Sequence, residues 1–297
     1  MASNVTTPYS ISTITAVGDV GVLVDLADLL RTVPIGPDGS GSDIRVVRAE
    51  LDGRALGEEE PPPKTGRRRS RVRDADVDGK LQGAAETPKK RFANQATLVF
   101  AVAESSTTRV NMKVFRNGRV QLTGAKRVEQ GREVVERLVE FLRGCCSSCC
   151  SCRGQEAPDP RVAEYRVCLI NSDFDVGFSV RRDALHRLVR DRFPRVPCCY
   201  EPCIYPGVQV RYHWNCCAPS GGAADDGGFC RCGDVPCDGR GEGDGPGRCR
   251  KVTCSVFQSG KAIVVGAHTM QQLDDAYRFL VDRLLMPHRE LLRIGAP

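Results

Sequence analysis

The chain has 297 residues, of which 43 are basic and 37 acidic, so its net charge is a modest +6. This length allows one large domain or two small ones with a substantial core. No apolar run is long enough to span a membrane, and residues 1–10 lack a secretory signal's charged and apolar regions, so we expect an intracellular protein without a membrane partner.

The first ordered elements lie before residue 36. Residues 9–24 are rich in β-branched side chains and predict extended strand, after which Asp25 can cap a short helix that carries Leu26, Leu29 and Leu30. Residues 36–90 are dominated by Gly, Pro and charged side chains and predict a largely disordered insert, although 44–51 could form an extra strand. Its basic run, 64–73, is typical of a solvated arm or of a nucleic-acid or import-receptor contact.

Order resumes with strand patterns at 96–103 and 110–115, a glycine hairpin and an amphipathic helix. The hairpin sequence occurs twice, at 115–126 and 257–268, and both copies read F-x-x-G-(R/K)-x-x-x-x-G-A-(K/H). Glycine after Asn or Ser between two apolar runs favours a tight turn, because glycine adopts positive φ at no steric cost. An amphipathic helix also follows the second copy, which indicates a duplicated unit.

The duplication divides the chain into two units joined by a cysteine-rich linker. The motif Asp-Val-Gly occurs at 19–21 and again at 175–177, each time before a short predicted helix. Each unit therefore predicts strand, helix, three strands and helix, with a foreign insert that in the second unit is rich in glycine and cysteine. The predicted boundaries are 1–144 with the insert 36–90, the linker 145–161, and 162–297 with the insert 215–250.

The cysteines of the second insert suggest a metal site. Four thiolates on an insert without its own core could hold zinc tetrahedrally and order the segment. Their spacing, C-x-C-x4-C-x11-C, lacks the paired C-x2-C knuckles of common zinc sites, so reduced thiols in a disordered segment are the alternative. Cys168 and Cys254 fall in strand patterns and are expected in the core. The candidate zinc ligands are Cys230, Cys232, Cys237 and Cys249.

No catalytic pattern is present. The four histidines are scattered, and no Ser/His/Asp set, phosphate-binding loop or metalloprotease motif appears, so we expect no enzymatic activity.

Four ordered markers together resemble the TATA-box-binding protein family: the repeated hairpin, YEPCIYPGVQVRY at 200–212, TPKKRFA at 87–93 and SDFDVGFSVRRDAL at 172–185. Their divergence resembles the outlying members of large DNA viruses. The resemblance implies an α+β fold, a pseudo-two-fold saddle in which two repeats form one curved antiparallel sheet with helices on its convex side. It also implies a transcription initiation factor that binds and bends double-stranded DNA through the minor groove.

The resemblance assigns roles by motif position. Aromatic wedges would enter base steps. In each repeat, two side chains of the strand that follows the hairpin glycine would face the bases, and basic residues would meet phosphates. Asn171 would partly replace the family's central asparagines, and Val265 cannot hydrogen-bond a base, so altered specificity is expected. If Phe115 and Phe257 were ordinary strand residues, they would instead be buried in the core. The assigned residues are Phe92, Phe115, Tyr205 and Phe257 as wedges, Gln121, Thr123, Asn171, Ile263 and Val265 at the bases, and Arg119, Arg211 and Lys261 at phosphates.

The resemblance also implies partners. Glu201 and Ile204 match the loop with which the family binds the IIB-type initiation factor. RNA polymerase machinery is a further partner that the resemblance implies. The protein would then act in the nucleus or in a cytoplasmic viral factory. The alternative is a saddle repurposed as a protein-binding or virion scaffold without specific DNA binding. A third hypothesis is an enzyme that uses this fold as an accessory domain, as some DNA glycosylases do. The sequence shows no second catalytic domain, which argues against it.

Overall fold

The computed structural model describes residues 6–36, 43–59, 94–102, 108–144, 159–216 and 227–295. All the strands in these ranges form one open, curved, antiparallel sheet of eleven strands. The strands are β1 (Ser10–Asp19), β2 (Ile44–Leu51), β3 (Arg54–Gly57), β4 (Gln95–Val102), β5 (Arg109–Phe115), β6 (Arg119–Ala125), β7 (Glu164–Asp175), β8 (Cys198–Cys199), β9 (Val208–Trp214), β10 (Arg250–Val256) and β11 (Lys261–Ala267).

The helices cover one face of this sheet and bury the core. Strand residues alternate between the two faces, so in β5 Val110, Met112 and Val114 are buried while Arg109, Asn111 and Lys113 are exposed. None of the described helices is long and apolar enough to cross a membrane. The helices are α1 (Leu26–Thr32), α2 (Val128–Gly144), α3 (Arg182–Arg192), α4 (Met270–Arg278), which continues as a π-helical segment (Phe279–Leu285), and α5 (Arg289–Leu292).

The strand order has a pseudo-two-fold axis at its centre. β1 lies beside β7; β6, β5, β4 and β2 follow on one side, and β11, β10, β9 and β8 follow on the other. Thr13 pairs with Asn171, and Thr15 pairs with Leu169. If the two Asp-Val-Gly motifs are superimposed, Thr13 corresponds to Leu169 and Thr15 to Asn171, so the axis relates one pair to the other. This topology confirms the predicted fold class, and among the described strands only β3 lacks a counterpart.

The duplication extends to individual hydrogen bonds. The Asp19 carboxylate accepts from the Gly21 amide at 2.7 Å, and the equivalent bond in the second repeat measures 2.8 Å. Both repeats use these bonds to turn the chain from the central strand toward its first helix. Further equivalent pairs, donor first, are Val20 N to Gly118 O and Val176 N to Gly260 O, both 2.9 Å, and Lys126 N to Gln130 Oε1 at 2.7 Å and His268 N to Gln272 Oε1 at 2.8 Å.

The turn glycine of the second hairpin has no acceptable substitute. Gly260 has φ of 88°, and a Cβ there would lie 2.4 Å from the carbonyl oxygen of Phe178. We expect Gly260→Ala to lower the free energy of unfolding by about 2–3 kcal/mol, because both the backbone angle and the contact are strained. Gly144→Ala is the control, since a Cβ there meets nothing within 4 Å. Equal stability of the two variants in urea unfolding would contradict this assignment of strain.

Several predictions about individual segments can be compared with the structure. Asp25 caps α1 by accepting from two backbone amides, as predicted. The extra strand at 44–51 is confirmed as β2, and it pairs with the unpredicted β3. Cys254 is buried, but the core placement of Cys168 is wrong. Cys168 lies where the pairing of β1 with β7 shifts register, and the irregularity leaves it half-exposed. The basic run 64–73 and the cysteine pairs at 145–152 lie outside the described residues.

Candidate nucleic-acid interface

The sheet face away from the helices carries the side chains predicted to meet DNA bases. Gln121 is exposed and Thr123 is half-buried on β6; Ile263 and Val265 are half-buried on β11. Thr123 lies opposite Thr15 of β1, and Val265 lies opposite Asn171 of β7. The structure therefore brings these four residues to two equivalent positions beside the central strands, although their contact with DNA stays a prediction.

The centre of this open face is only partly polar. Thr13 Oγ1 accepts a hydrogen bond from the Gly124 amide at 3.0 Å. Asn171 Oδ1 is buried and has no hydrogen-bond partner among the described residues. An unpaired buried acceptor is costly in the free protein, and a donor on a bound ligand would relieve that cost. Leu169 contributes no polar group, so the polar side chains at the centre are Thr13, Thr15 and Asn171.

Tyr205 and Phe257 form an aromatic pair at the outer end of the second repeat. Their ring centroids lie 5.8 Å apart with an interplanar angle of 59°. Gly207 lies against both rings, because a Cβ there would be 3.0 Å from Tyr205 Cε1 and 3.1 Å from Phe257 Cε1. Sequence analysis missed Gly207, although its place two residues after Tyr205 suited a close approach. Phe115 occupies the equivalent position in the first repeat, and Phe92 lies outside the described residues.

These aromatic side chains are not core residues. Phe115, Tyr205 and Phe257 are half-buried, and none belongs to the core or to the half-buried side chains described as packing against it. The alternative that Phe115 and Phe257 are ordinary buried strand residues is therefore wrong. Phe115 instead lines a depression of about 520 Å³ together with Arg119 and Arg166. Apolar rings outside the core are available for a ligand.

The predicted phosphate contacts differ in availability. Arg119 and Arg211 are exposed. Lys261 places Nζ 3.1 Å from Asp175 Oδ2, so part of its charge is already compensated. The Gly177 amide, together with the Lys261 ammonium, lowers the pKa of the Asp175 carboxyl.

Strand alternation identifies charged residues on the open face that sequence analysis missed. Arg109 and Lys113 are exposed on β5, and Arg166 is exposed on β7, where strand alternation could have found them. Asp173 is exposed on the same face, two residues from Asn171 on β7, and accepts from the hydroxyl of Ser12. A carboxylate at this position repels the negatively charged phosphates of a nearby DNA backbone.

The predicted partner loop lies between β8 and β9. The Ile204 amide donates to the Glu201 carbonyl at 2.9 Å, which forms a tight turn. This turn leaves the Ile204 side chain 79% exposed. Arg182 lies 5.4 Å from the centroid of the neighbouring Tyr200 ring and braces the loop against α3. An exposed isoleucine on a braced turn is suited to a protein contact, but the partner stays a prediction.

The four cysteines of the second insert converge on one point. Their Sγ atoms all lie within 4.8 Å of one another, and those of Cys230 and Cys232 lie 3.8 Å and 3.3 Å from that of Cys249. Four sulfurs at tetrahedral zinc, with bonds of about 2.3 Å, lie about 3.8 Å apart, whereas a disulfide needs about 2.05 Å. The cluster of Cys230, Cys232, Cys237 and Cys249 could therefore hold a metal ion.

Nearby donors stabilise thiolate sulfur in this cluster. The Gly247 amide donates to Cys232 Sγ at 3.1 Å, and Asn215 Nδ2 donates to Cys249 Sγ at 3.5 Å. Burial raises the pKa of the Cys249 thiol to about 12. Burial also opposes ionisation of Cys232, but hydrogen bonds from Cys249 and Gly247 outweigh it and lower that pKa to about 7. N–H donors around sulfur are typical of the surroundings of metal ligands.

No protein-family profile matches the chain. The chain is 25% identical over 210 residues to a TATA-box-binding protein-like protein of Acanthamoeba polyphaga mimivirus. That alignment covers 69% of this chain and 51% of the mimivirus protein, so the chain spans about half the length of this relative.

A solved structure of Methanococcus jannaschii TBP also matches, with a TM-score of 0.45 and 15% identity, over 93% of this chain and 97% of that one. The viral relative, together with the duplicated topology, confirms the predicted resemblance to the TATA-box-binding protein family in a divergent, virus-like form.

Proposed function

We propose that this chain is a non-enzymatic transcription initiation factor that binds the minor groove of DNA and bends it. The observation that carries the proposal is the Tyr205–Phe257 pair, held outside the core against Gly207, with Phe115 at the equivalent end of the first repeat. Unstacking one base step costs a few kcal/mol, and the surface that the bent duplex then covers compensates for this cost.

The proposed recognition is asymmetric. In the first repeat Gln121 and Thr123 offer polar groups to base edges, whereas Ile263 and Val265 offer only apolar contact in the second. The minor groove distinguishes A·T from G·C pairs mainly by acceptors and the guanine amino group, so polar reading needs donors or acceptors on the protein. We propose that base preference is concentrated in the half-site under the first repeat.

Selection from randomised duplex DNA tests this function. We expect recovered duplexes to share a preference confined to one half-site, and binding to weaken as salt rises because phosphate contacts release counterions. Energy transfer between dyes at the two duplex ends should report a bend on binding. Recovery of random duplexes with no bend would refute the proposal.

A protein-binding or virion scaffold without specific DNA binding is the second candidate. The observation that favours it is the exposed Asp173 on the open face, two residues from Asn171 on β7, with the apolar Ile263 opposite it on β11. A carboxylate there repels phosphates, while half-buried apolar side chains suit a protein surface. The same selection separates the candidates, because a scaffold would show no salt-sensitive duplex binding.

We infer that the cysteine cluster holds structural zinc, since four thiolates leave no open position for catalysis. Zinc would order an insert that otherwise has little core of its own.

We further propose that Glu201 and Ile204 contact a IIB-type initiation factor and that RNA polymerase machinery is a further partner. The protein would act in the nucleus or in a viral factory.

A further inference from the structure

A second site lies on the helix side of the sheet, where the cysteine-rich insert meets the end of α3. The guanidinium of Arg195 lies 3.7 Å from the centroid of the Phe229 ring, and that of Arg231 lies 5.0 Å from it. These two arginines border a depression of about 660 Å³ that is also lined by Cys230 and Gly233. We call Arg195, Phe229 and Arg231 the arginine patch.

The insert is anchored to the domain by aromatic packing. Gly228 lies directly on the ring of Phe279, since a Cβ there would be 2.9 Å from its Cζ. Phe279 in turn contacts Phe193, just after α3, with ring centroids 6.3 Å apart. Phe229 is only 9% exposed, so it supports the two guanidinium groups from beneath. The patch therefore exists only while the insert is docked.

The α3 side of the patch is rich in arginine. Residues 187–195 contain four arginines against one acidic residue, Asp191. Asp191 forms a salt bridge with Arg190, whose Nε lies 3.1 Å from the Asp191 carboxylate. The side chain of Arg195 is exposed. Stacking on the Phe229 ring uses the face of the Arg195 guanidinium and leaves the N–H groups of that guanidinium, which lie in its plane, available for carboxylates.

We propose that the arginine patch binds a carboxylate-rich segment of a partner protein. A protein fits better than nucleic acid because the patch lies on the helix side, whereas the proposed DNA surface is the opposite face of the sheet. The inference rests on the proposed metal, since Arg231 lies between two of its ligands, Cys230 and Cys232. Metal loss would release Phe229 and with it the support for both arginines.

Fluorescence anisotropy of a labelled poly-glutamate peptide tests this proposal on the full metal-loaded protein. We expect Arg195→Ala to weaken binding about ten-fold, and Arg195→Lys to weaken it less, because lysine keeps the charge but loses the planar fork. Arg45→Ala is the control, since Arg45 is an exposed arginine on the open face of β2. A poly-glutamine peptide of equal length should not bind.

Three results would overturn the inference: equal peptide affinity of wild type and Arg195→Ala, undiminished peptide binding after metal removal, or displacement of the peptide by duplex DNA. The last result, with a parallel loss of DNA affinity in Arg195→Ala, would assign the patch to nucleic acid. DNA bending is measured separately, so failure of the proposed DNA function would leave the peptide result interpretable.

Discussion

Replacing both Tyr205 and Phe257 by alanine is expected to remove the kink at one end of the bound DNA and leave the other. The total bend should fall by roughly half, because each repeat supplies its own wedge. Affinity should fall about 10–100-fold, which corresponds to loss of about 1.4–2.8 kcal/mol of base contact. Both rings lie outside the core, so folding should be preserved. Dye-to-dye energy transfer on an end-labelled duplex measures the bend, and titration measures the affinity.

Two neighbouring variants make this experiment specific. Ile204→Ala removes an exposed apolar side chain directly beside Tyr205, and should leave the bend intact. Tyr205→Phe keeps the ring and removes the hydroxyl, and should bind at least as well, because that hydroxyl must lose water between base pairs. The wedge assignment fails if the double alanine variant bends DNA as well as Ile204→Ala does.

Metal removal is expected to undock the cysteine-rich insert, and the chain's one tryptophan reports it. Trp214 Nε1 donates to Asp275 Oδ2 at 2.8 Å, and its ring lies against Gly243 of the insert. A strong chelator, or Cys249→Ser, should shift the tryptophan emission to the red as the ring becomes hydrated. The melting temperature should fall by on the order of 10 °C, the scale expected for loss of a structural metal.

Elemental analysis should find one zinc per chain in the wild type and less in Cys249→Ser. Cys203→Ser is the matched control, since Cys203 is exposed and lies outside the cluster. It should match the wild type in metal content, emission and melting temperature. A metal-free wild type with unshifted emission would show that the thiols need no ion.

Features set by neighbouring residues could be predicted from the sequence. The Asp25 cap, the glycine hairpins and the strand at 44–51 depend on interactions within a few residues, so their patterns identify them directly. The duplication was also visible, because both repeats need the same turn residues at the same spacing. From these local patterns and from the duplication, the sequence determined a doubled α+β unit and its family resemblance.

Other features depend on contacts between distant segments, and only the tertiary structure decided them. Cys249 follows Cys230 by 19 residues, and their spacing alone could not show that the four sulfurs converge. The Tyr205–Phe257 pair needs β9 and β10 to meet above Gly207, and the register shift at Cys168 arises only when β7 pairs with β1. Sequence patterns report which face of a strand is apolar, whereas register and loop docking are settled by packing across the whole sheet.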